Sequence, residues 1–215
     1  MSPRIDTASR ADIAACARII ARALHRDPVV RDIVPGEEDR IERLTLLYTA
    51  ELRSGPARTG AIDVARSEDG AILGVAAWEG PRRPGLGDRW QRLRALPLQV
   101  RAIGVRHLGA TLSTLSHFEA ARPRARHWYL ADIAVDDRAR GLGIGSALLT
   151  HRLAAIDRQG LPAHLEATTP ESRRLYERFG FQETGRLDIP SRPAAMTRPP
   201  AAPPRGGTAD SRPGI

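Results

Sequence analysis

Residues 140–146 have the composition of a loop that binds an anion. Glycine stands at positions 141, 143 and 145 of this run, and Ser146 closes it. Because glycine has no Cβ, successive backbone N–H groups can turn toward one ligand, and a helix that begins at the loop adds the positive end of its dipole. Arg140 lies at the edge of the run, where a guanidinium can pair with phosphate oxygens. The chemistry predicted here is the binding of a pyrophosphate.

Two elements must hold this loop in place. An apolar segment, 128–135, leads into it and a segment with helical patterning, 147–158, leaves it, so the sequence predicts a strand, a loop and a helix. Two common phosphate loops are excluded. A P-loop needs a Lys before Ser146, and the dinucleotide fingerprint needs two residues between its second and third glycines, whereas one residue separates Gly143 from Gly145.

The order Arg-x-x-Gly-x-Gly after an apolar strand resembles the acetyl-CoA loop of the GNAT N-acetyltransferases. A second block, 165–168 followed by 175–181, is similar to the fifth strand and the next helix of that family and ends in Tyr-x-x-x-Gly-Phe. Weaker matches at 4–13 and 195–199 extend the resemblance over most of residues 1–198.

Within that family the chain is most similar to the puromycin N-acetyltransferase group, through residues 40–43, 128–130 and a Met-Thr-Arg ending at 196–198. The resemblance implies an α/β (α+β) chain with the GNAT fold. That fold is a mixed, mostly antiparallel sheet with a βαβ acetyl-CoA-binding core and helices on both faces.

The resemblance also implies acetyl-CoA as the cosubstrate. In the family, the strand before the loop splays from its neighbour, and its backbone binds the pantetheine arm and the acetyl carbonyl. Relatives often carry Asn seven and four residues before the helix Tyr, where this chain has Thr169 and Ser172, whose hydroxyls can still donate a hydrogen bond. The expected acetyl-CoA contacts are Ile133, Ala134, Val135, Arg140, Gly141, Leu142, Gly143, Ile144, Gly145, Ser146, Thr169 and Ser172.

Three residues are the expected catalytic groups. Tyr176 matches the helix Tyr of the family, whose phenol protonates the departing thiolate as a general acid. Glu166, at the end of the fifth strand, is the first candidate for the general base, directly or through water. Asp132 is the second candidate, because it lies on the strand beside the acetyl position, where it could also attract a cationic amine.

Composition bounds the rest of the prediction. A length of 215 residues suits one domain, expected at 1–198, with a helical insertion near the substrate pocket at 81–126 and a disordered Pro/Gly/Ala-rich tail at 199–215. The formal net charge of +8 comes from arginines interspersed with acids, without a basic block interleaved with aromatics, so we expect a solvated face and no nucleic-acid partner.

The remaining expectations concern location, metals and assembly. No apolar run that could be a signal or membrane segment occurs at the N-terminus, so we expect a cytoplasmic protein without a membrane partner. Cys16 lies in an apolar helical pattern and is expected to be a packed thiol, and the six histidines lack ligand spacing, so no metal is expected. A monomer and a homodimer both remain open.

Periodicity and turn signals predict the other elements. The expected helices are 12–25, 37–52, one or two segments within 90–115, 143–159 and 170–178; the expected strands are 5–7, a hairpin of 61–66 and 71–78, then 128–135, 163–168, one within 181–189, and 194–198. Helix 12–25 is expected to stop near Pro28.

The function implied by the resemblance is transfer of an acetyl group from acetyl-CoA to a primary amine of a small molecule, such as an antibiotic or an aminoacyl compound. Acetylation of a protein N-terminus or side chain is a second hypothesis, which needs an open groove. A non-catalytic acyl-CoA-binding module is a third. An insertion at 81–126 that closes over the strand at Asp132 would favour a small acceptor.

Overall fold

In the computed structural model, which describes residues 3–81 and 86–200 apart from the side chains of 86–93, seven strands form one sheet. Their bounds are β1 Arg4–Thr7, β2 Ala61–Arg66, β3 Ile72–Glu79, β4 Trp128–Val135, β5 Ala163–Ala167, β6 Gln182–Arg186 and β7 Ala194–Arg198. The spatial order is β1-β2-β3-β4-β5-β7-β6, and β4 and β5 are parallel while the other neighbours are antiparallel. The sheet is therefore mixed and mostly antiparallel, as predicted.

Helices cover both faces of this sheet. They are α1 Ile13–Leu24, α2 Pro28–Ile33, α3 Arg40–Ser54, α4 Pro56–Thr59, α5 Leu86–Ile103, α6 Leu108–Ala121, α7 Ile144–Asp157 and α8 Pro170–Arg178. On one face, called here the α3 face, Ile20 of α1 and Leu44 of α3 are buried with Val75 of β3. On the opposite face, Leu148 of α7 is buried with Leu165 of β5. The apolar residues of α1 and α7 recur at helical spacing, so each of these helices buries one side against the sheet.

A gap opens in the middle of the sheet between β4 and β5. Their ladder consists of Trp128 paired with Ala163 and Tyr129 paired with His164. Beyond these pairs β4 stays paired with β3 and β5 stays paired with β7, so the two strands diverge. The strand that leads into the glycine loop therefore has one edge without a strand partner along most of its length.

A bulge in the β3–β4 ladder decides which side chains of β4 face the α3 face. Leu130 pairs with Trp78 and Asp132 pairs with Ala77, so Ala131 is an extra residue in β4. Tyr129 and Asp132 consequently face the same side, although three positions separate them. On β5, Leu165 packs on the opposite face, so its neighbours along the strand face the α3 face.

The insertion consists of α5 and α6 and packs on the helices of the α3 face. The Nε of Arg43 in α3 donates a hydrogen bond of 2.9 Å to the carbonyl of Ala102 in α5. The hydroxyl of Thr111 in α6 donates one of 3.1 Å to the carbonyl of Ile33 in α2. Helical structure in this region was predicted.

The sequence prediction missed one helix in this half of the chain and placed the start of another too early. Pro28 is the first residue of α2, a position where a helix does not need the N–H group that proline lacks. Asp27 caps this helix by accepting hydrogen bonds from the N–H groups of Val29 and Val30. The next helix begins at Arg40 rather than at residue 37, because Asp39 has a φ of 46° and interrupts a helical path.

The remaining observations concern Cys16, membrane-spanning helices, metal-binding groups and the C-terminal tail. Cys16 is buried in the core as predicted, and burial raises the pKa of its thiol to about 12. No helix of the described residues is both long and apolar enough to cross a membrane, and no group of metal-binding side chains occurs among them. Of the predicted disordered tail, residues 201–215 lie outside the described residues.

Candidate active site

The glycine loop forms a cradle of backbone N–H groups at the start of α7. Gly141 and Gly143 have φ values of 79° and 74°, which favour glycine, and Gly143 is the N-cap of the helix. The N–H groups of Ile144, Gly145 and Ser146 lie in the first turn, where an α-helix offers them no acceptor of its own. A Cβ placed on Gly141 or Gly143 would meet no atom within 4 Å, so the cradle is open. These features suit a pyrophosphate.

Side chains at the edge of the loop are exposed. Arg140 forms an ion pair of 2.6 Å with Asp137, and both side chains lie largely in solvent. Such a pair contributes little to stability, so the guanidinium is free to turn toward an incoming phosphate. Leu142 is 67% exposed at the tip of the loop.

The register of β4 shows which backbone groups face the gap. The N–H of Asp136 donates a hydrogen bond of 2.8 Å to the carbonyl of Leu73, so these two residues form a hydrogen-bonded pair. In an antiparallel ladder such pairs alternate, and the main chain of Ala134 therefore faces β3. The main-chain groups of Ile133 and Val135 face the gap, where they can hydrogen-bond to an extended ligand.

Thr169 and Ser172, the two expected cofactor contacts beyond the loop, form a capping box at the start of α8. The N–H of Ser172 donates to the hydroxyl of Thr169, and the N–H of Thr169 donates to the hydroxyl of Ser172, both at 3.2 Å. The Ser172 hydroxyl also donates to the Thr169 carbonyl at 2.9 Å. Both hydroxyls thus stabilise the helix end.

Tyr176 of α8 belongs to the buried cluster that contains Leu148 and Leu165. It is buried, with 6% of its surface exposed, and its ring packs edge-on against Phe181 at a centroid distance of 5.9 Å. Burial raises the pKa of its phenol, and the negative charges of Asp132, Asp27 and Glu166 raise it further. The phenol is therefore protonated near neutral pH, as a general acid must be.

Asp132 faces the α3 face on β4 and is 9% exposed. Its buried Oδ2 receives no hydrogen bond from an N–H or hydroxyl group of the described residues. Burial raises the pKa of this carboxyl to about 7; a hydrogen bond with Glu51 lowers it, and the charges of Asp27 and Glu79 raise it. A carboxylate with this pKa can accept a proton at neutral pH.

Glu51, on α3, is the partner of Asp132. Burial raises its pKa well above the ordinary value, and the charge of Asp132 raises it further. Two carboxyl groups this close do not both ionise, so Glu51 keeps the proton and donates it in the hydrogen bond to Asp132. The pair therefore gains its negative charge as the pH rises through about 7, when Asp132 loses its proton.

Glu166 lies on β5, and both of its oxygens are engaged. The hydroxyl of Tyr129 donates to Oε2 at 2.7 Å, and Nε2 of His164 lies 3.1 Å from Oε1. Because a carboxylate oxygen accepts hydrogen bonds, we place the proton of His164 on Nε2. Nδ1 then accepts a hydrogen bond of 2.9 Å from the hydroxyl of Thr197. The side chain of Glu166 is only 2% exposed. Its contacts are those of a residue fixed in place.

Arg122, the residue that follows α6, contacts the network formed by Tyr129, His164 and Glu166. Arg122 forms an ion pair of 2.9 Å with Glu79 at the end of β3, and its guanidinium lies 3.6 Å above the ring of Tyr129. The end of the insertion therefore contacts Tyr129, which lies at the start of the gap, three positions before Asp132 on β4.

Sequence reasoning missed part of this site: Glu51, Tyr48, Tyr129, Arg122 and His164. Glu51 carried a signal, because it stands three residues after Tyr48 on the buried side of α3, where an acid is unusual. His164 carried another, because it precedes Glu166 by two residues on a strand and so shares its face. Arg122 and Glu79 are 43 positions apart in sequence, and no local pattern joins them.

Known proteins are similar to this chain in sequence and fold. Residues 102–183 match a family model described as an acetyltransferase (GNAT) domain. The chain is 32% identical to a protein of known structure from Corynebacterium glutamicum, described as histone acetyltransferase HPA2 and related acetyltransferase, with a TM-score of 0.72. The similarity covers 94% of this chain and 99% of that one.

More distant structures share the fold. Arylalkylamine N-acetyltransferase 2 from Aedes aegypti is 15% identical with a TM-score of 0.59, over 91% of this chain and 98% of that chain. The ribosomal-protein-S18-alanine N-acetyltransferase from Escherichia coli is 17% identical with a TM-score of 0.54, over 94% and 97%. Fold and site together define an acetyltransferase. The chain belongs to the GNAT acetyltransferases.

Proposed function

We propose that this protein transfers the acetyl group of acetyl-CoA to a primary amine of a small molecule, by direct attack in a ternary complex. One observation carries the proposal. A buried carboxylate with an unpartnered oxygen, Asp132, lies near enough to a protonated phenol, Tyr176, for its charge to raise the pKa of that phenol. A base and an acid close to one another are what this reaction needs.

The residues present fit acetyl-CoA, which supplies the acetyl thioester when it is bound. The open N–H cradle at 141–146 suits its pyrophosphate, and Arg140 can turn toward it. The main-chain groups of Ile133 and Val135 suit the amides of its pantetheine arm. Ala134 contributes packing instead, because its main chain is directed to β3 and its side chain lies in the core.

The residues of the site perform two proton transfers. Asp132 accepts a proton from the ammonium group of the acceptor, which leaves a neutral amine, and later releases that proton to solvent. As the C–N bond forms and the C–S bond breaks, Tyr176 donates its proton to the sulfur. The phenol is restored by the proton that the amine nitrogen loses on acylation. Asp132 is favoured over Glu166 as the base because both oxygens of Glu166 are already hydrogen-bonded.

A small acceptor is supported by the position of the insertion. Its helices pack on α2 and α3, and Arg122, which follows α6, covers the ring of Tyr129 three positions before Asp132 on β4. The likeness to the puromycin N-acetyltransferase group stays part of the proposal. Its motif at 40–43 does not identify the acceptor, because Arg40 and Arg43 bind backbone carbonyl groups.

A thiol-release assay tests the proposal. Acetyl-CoA is supplied with a panel of small primary amines, with peptides bearing a free N-terminus and with lysine peptides, and products are verified by mass spectrometry. We expect thiol release with small amines, lost in Asp132→Asn and kept in the exposed-site control Glu171→Gln. Faster turnover of peptides would favour protein acetylation, and CoA binding without thiol release from any acceptor would indicate a non-catalytic module.

A further inference from the structure

Several buried and half-buried acidic groups lie around Asp132. Beside the Glu51–Asp132 pair lie Glu79, whose charge raises the pKa of both partners, and Asp27, whose charge raises that of Asp132. Glu166 adds a further buried carboxylate on β5. These groups come from α3, β4, β3, the cap of α2 and β5, so the topology gathers them and no single sequence motif does.

The basic groups described around this cluster are already in use. Arg122 is paired with Glu79 and lies against the ring of Tyr129, and its Nε, like Oδ2 of Asp132, is buried and has no partner. Arg40 donates to the carbonyls of His25 and Gly36 at 2.7 and 3.1 Å. Both guanidinium groups described near the acidic residues are therefore already engaged by other groups of the protein.

Aromatic rings complete the lining. All three tyrosines of the chain are buried around the acidic groups: Tyr48 on α3, Tyr129 on β4 and Tyr176 on α8. The charge of Asp132 raises the pKa of Tyr48 and Tyr176, and that of Glu166 raises the pKa of Tyr129. The ring of Tyr129 already carries the guanidinium of Arg122 at 3.6 Å, which shows that an aromatic face beside these carboxylates holds a cation.

Resting on the proposed acetyl transfer, we propose that this pocket selects by charge: it accepts primary amines that carry no carboxylate beside the amino group and rejects free α-amino acids. The ammonium binds at the unpartnered oxygen of Asp132. A carboxylate on the adjacent carbon would then enter this acidic cluster, where the nearby cations described, Arg122 and Arg40, are already engaged. Juxtaposed like charges of this kind cost several kcal/mol, which corresponds to about 100-fold or more in kcat/KM.

Matched acceptors test charge selection apart from size. Thiol release is measured at pH 8 with three skeletons, each as the amine, the α-amino acid methyl ester and the free amino acid: tyramine, phenethylamine and isoamylamine with the esters and acids of tyrosine, phenylalanine and leucine. For every skeleton turned over, we expect amine and ester to agree within about tenfold and the free acid to be at least about 100-fold poorer.

Two variants distinguish a charge effect from a shape effect. Both Glu79 and Glu119 contact Arg122, at 2.9 and 3.7 Å, but Glu79 is largely buried whereas the side chain of Glu119 is 78% exposed. Glu79→Gln removes a buried charge and releases Arg122, so the ratio of ester to free-acid turnover should fall by at least about tenfold. Glu119→Gln should leave that ratio unchanged.

The outcomes separate this inference from the proposed function. Comparable turnover of the ester and the free acid would overturn charge selection while leaving acetyl transfer to amines intact. Preference for the free acid would do the same and would show that Arg122 moves to receive the carboxylate. If no amine of any kind releases thiol, the proposed function fails, and the inference that rests on it fails with it.

Discussion

Replacement of Asp132 by Asn should make the protein more stable and nearly inactive at the same pH. In the folded protein the pKa of Asp132 is raised to about 7 by burial, against an ordinary value of 3.8. Below pH 3.8 the group is protonated in both states, so it has no effect on stability there. As the pH rises toward 7, the unfolded chain loses this proton first, and the free energy of unfolding falls.

The size of the effect follows from that interval. At about 1.4 kcal/mol per pH unit, the difference between 3.8 and about 7 corresponds to about 4 kcal/mol, fully developed above pH 7. The proton on Glu51 readjusts when its partner is neutral, which reduces the gain. We therefore expect Asp132→Asn to raise the free energy of unfolding by about 2–4 kcal/mol at pH 8 and by almost nothing near pH 3.5.

Urea unfolding at both pH values, beside thiol-release kinetics, measures this difference. Turnover of the variant should fall by about 10²–10⁴-fold. A matched control is Asp63→Asn, which also replaces a buried Asp, but one paired with Arg152, whose Nε lies 2.8 Å away. That variant should lose about 3 kcal/mol, because it leaves a cation without its partner. An Asp132→Asn protein no more stable than wild type at pH 8 would refute the reasoning.

The other predictions concern acid catalysis, cosubstrate binding, capping and the C-terminus. Tyr176→Phe keeps the ring packing but removes the proton donor, so kcat should fall by about 10²–10⁴-fold with CoA affinity little changed; an unchanged kcat and pH profile would exclude Tyr176 from the chemistry. Gly143→Asp places a side chain and a negative charge in the open cradle, so calorimetry should show CoA affinity reduced at least about tenfold; Gly160→Asp, also at a positive φ in open space but past the far end of α7, is the control for backbone strain. Thr169→Ala removes the cap of α8 and should lower the free energy of unfolding by about 1 kcal/mol; a loss of CoA affinity above tenfold would instead support its expected cofactor contact. Ending the chain after Arg198 removes Pro- and Gly-rich sequence with no large apolar residue before Ile215, so the melting temperature and turnover should stay close to those of the full chain, and a large loss of either would contradict this.

Local patterns predicted the elements that are consecutive in sequence. The bounds of β2, β4, β7 and α8 agree with the sequence prediction residue for residue, because alternation, turn residues and Pro170 mark them. The glycine loop and its flanking strand and helix were predicted for the same reason. All of these depend on neighbours within about ten positions.

The chemistry of the pocket depends on contacts between distant parts of the chain, which periodicity does not encode. The sequence made Glu166 the first candidate for the base, and it correctly placed this residue on β5. What favours Asp132 is that Tyr129 and His164 hold both oxygens of Glu166, and that Glu51 approaches Asp132 from a helix 81 positions earlier in the chain. The burial that sets the pKa of Asp132 likewise exists only after α1 and α3 cover the sheet.

Because a ligand can bind at the gap between β4 and β5, the stability of the folded protein depends on the concentration of that ligand in the cell. Two residue pairs join the two strands, so the sheet behaves as two half-sheets held together mainly by the helices that cover them. A ligand that hydrogen-bonds to the open edge of β4 adds hydrogen bonds that the chain itself does not form there, and it does so only in the folded state. Linkage then adds about 2.7 kcal/mol when that ligand is present at a hundred times its dissociation constant. We expect the lifetime of this protein in a cell to follow the supply of its acyl donor, so that starvation for the donor would lower both the rate of the reaction and the amount of folded catalyst.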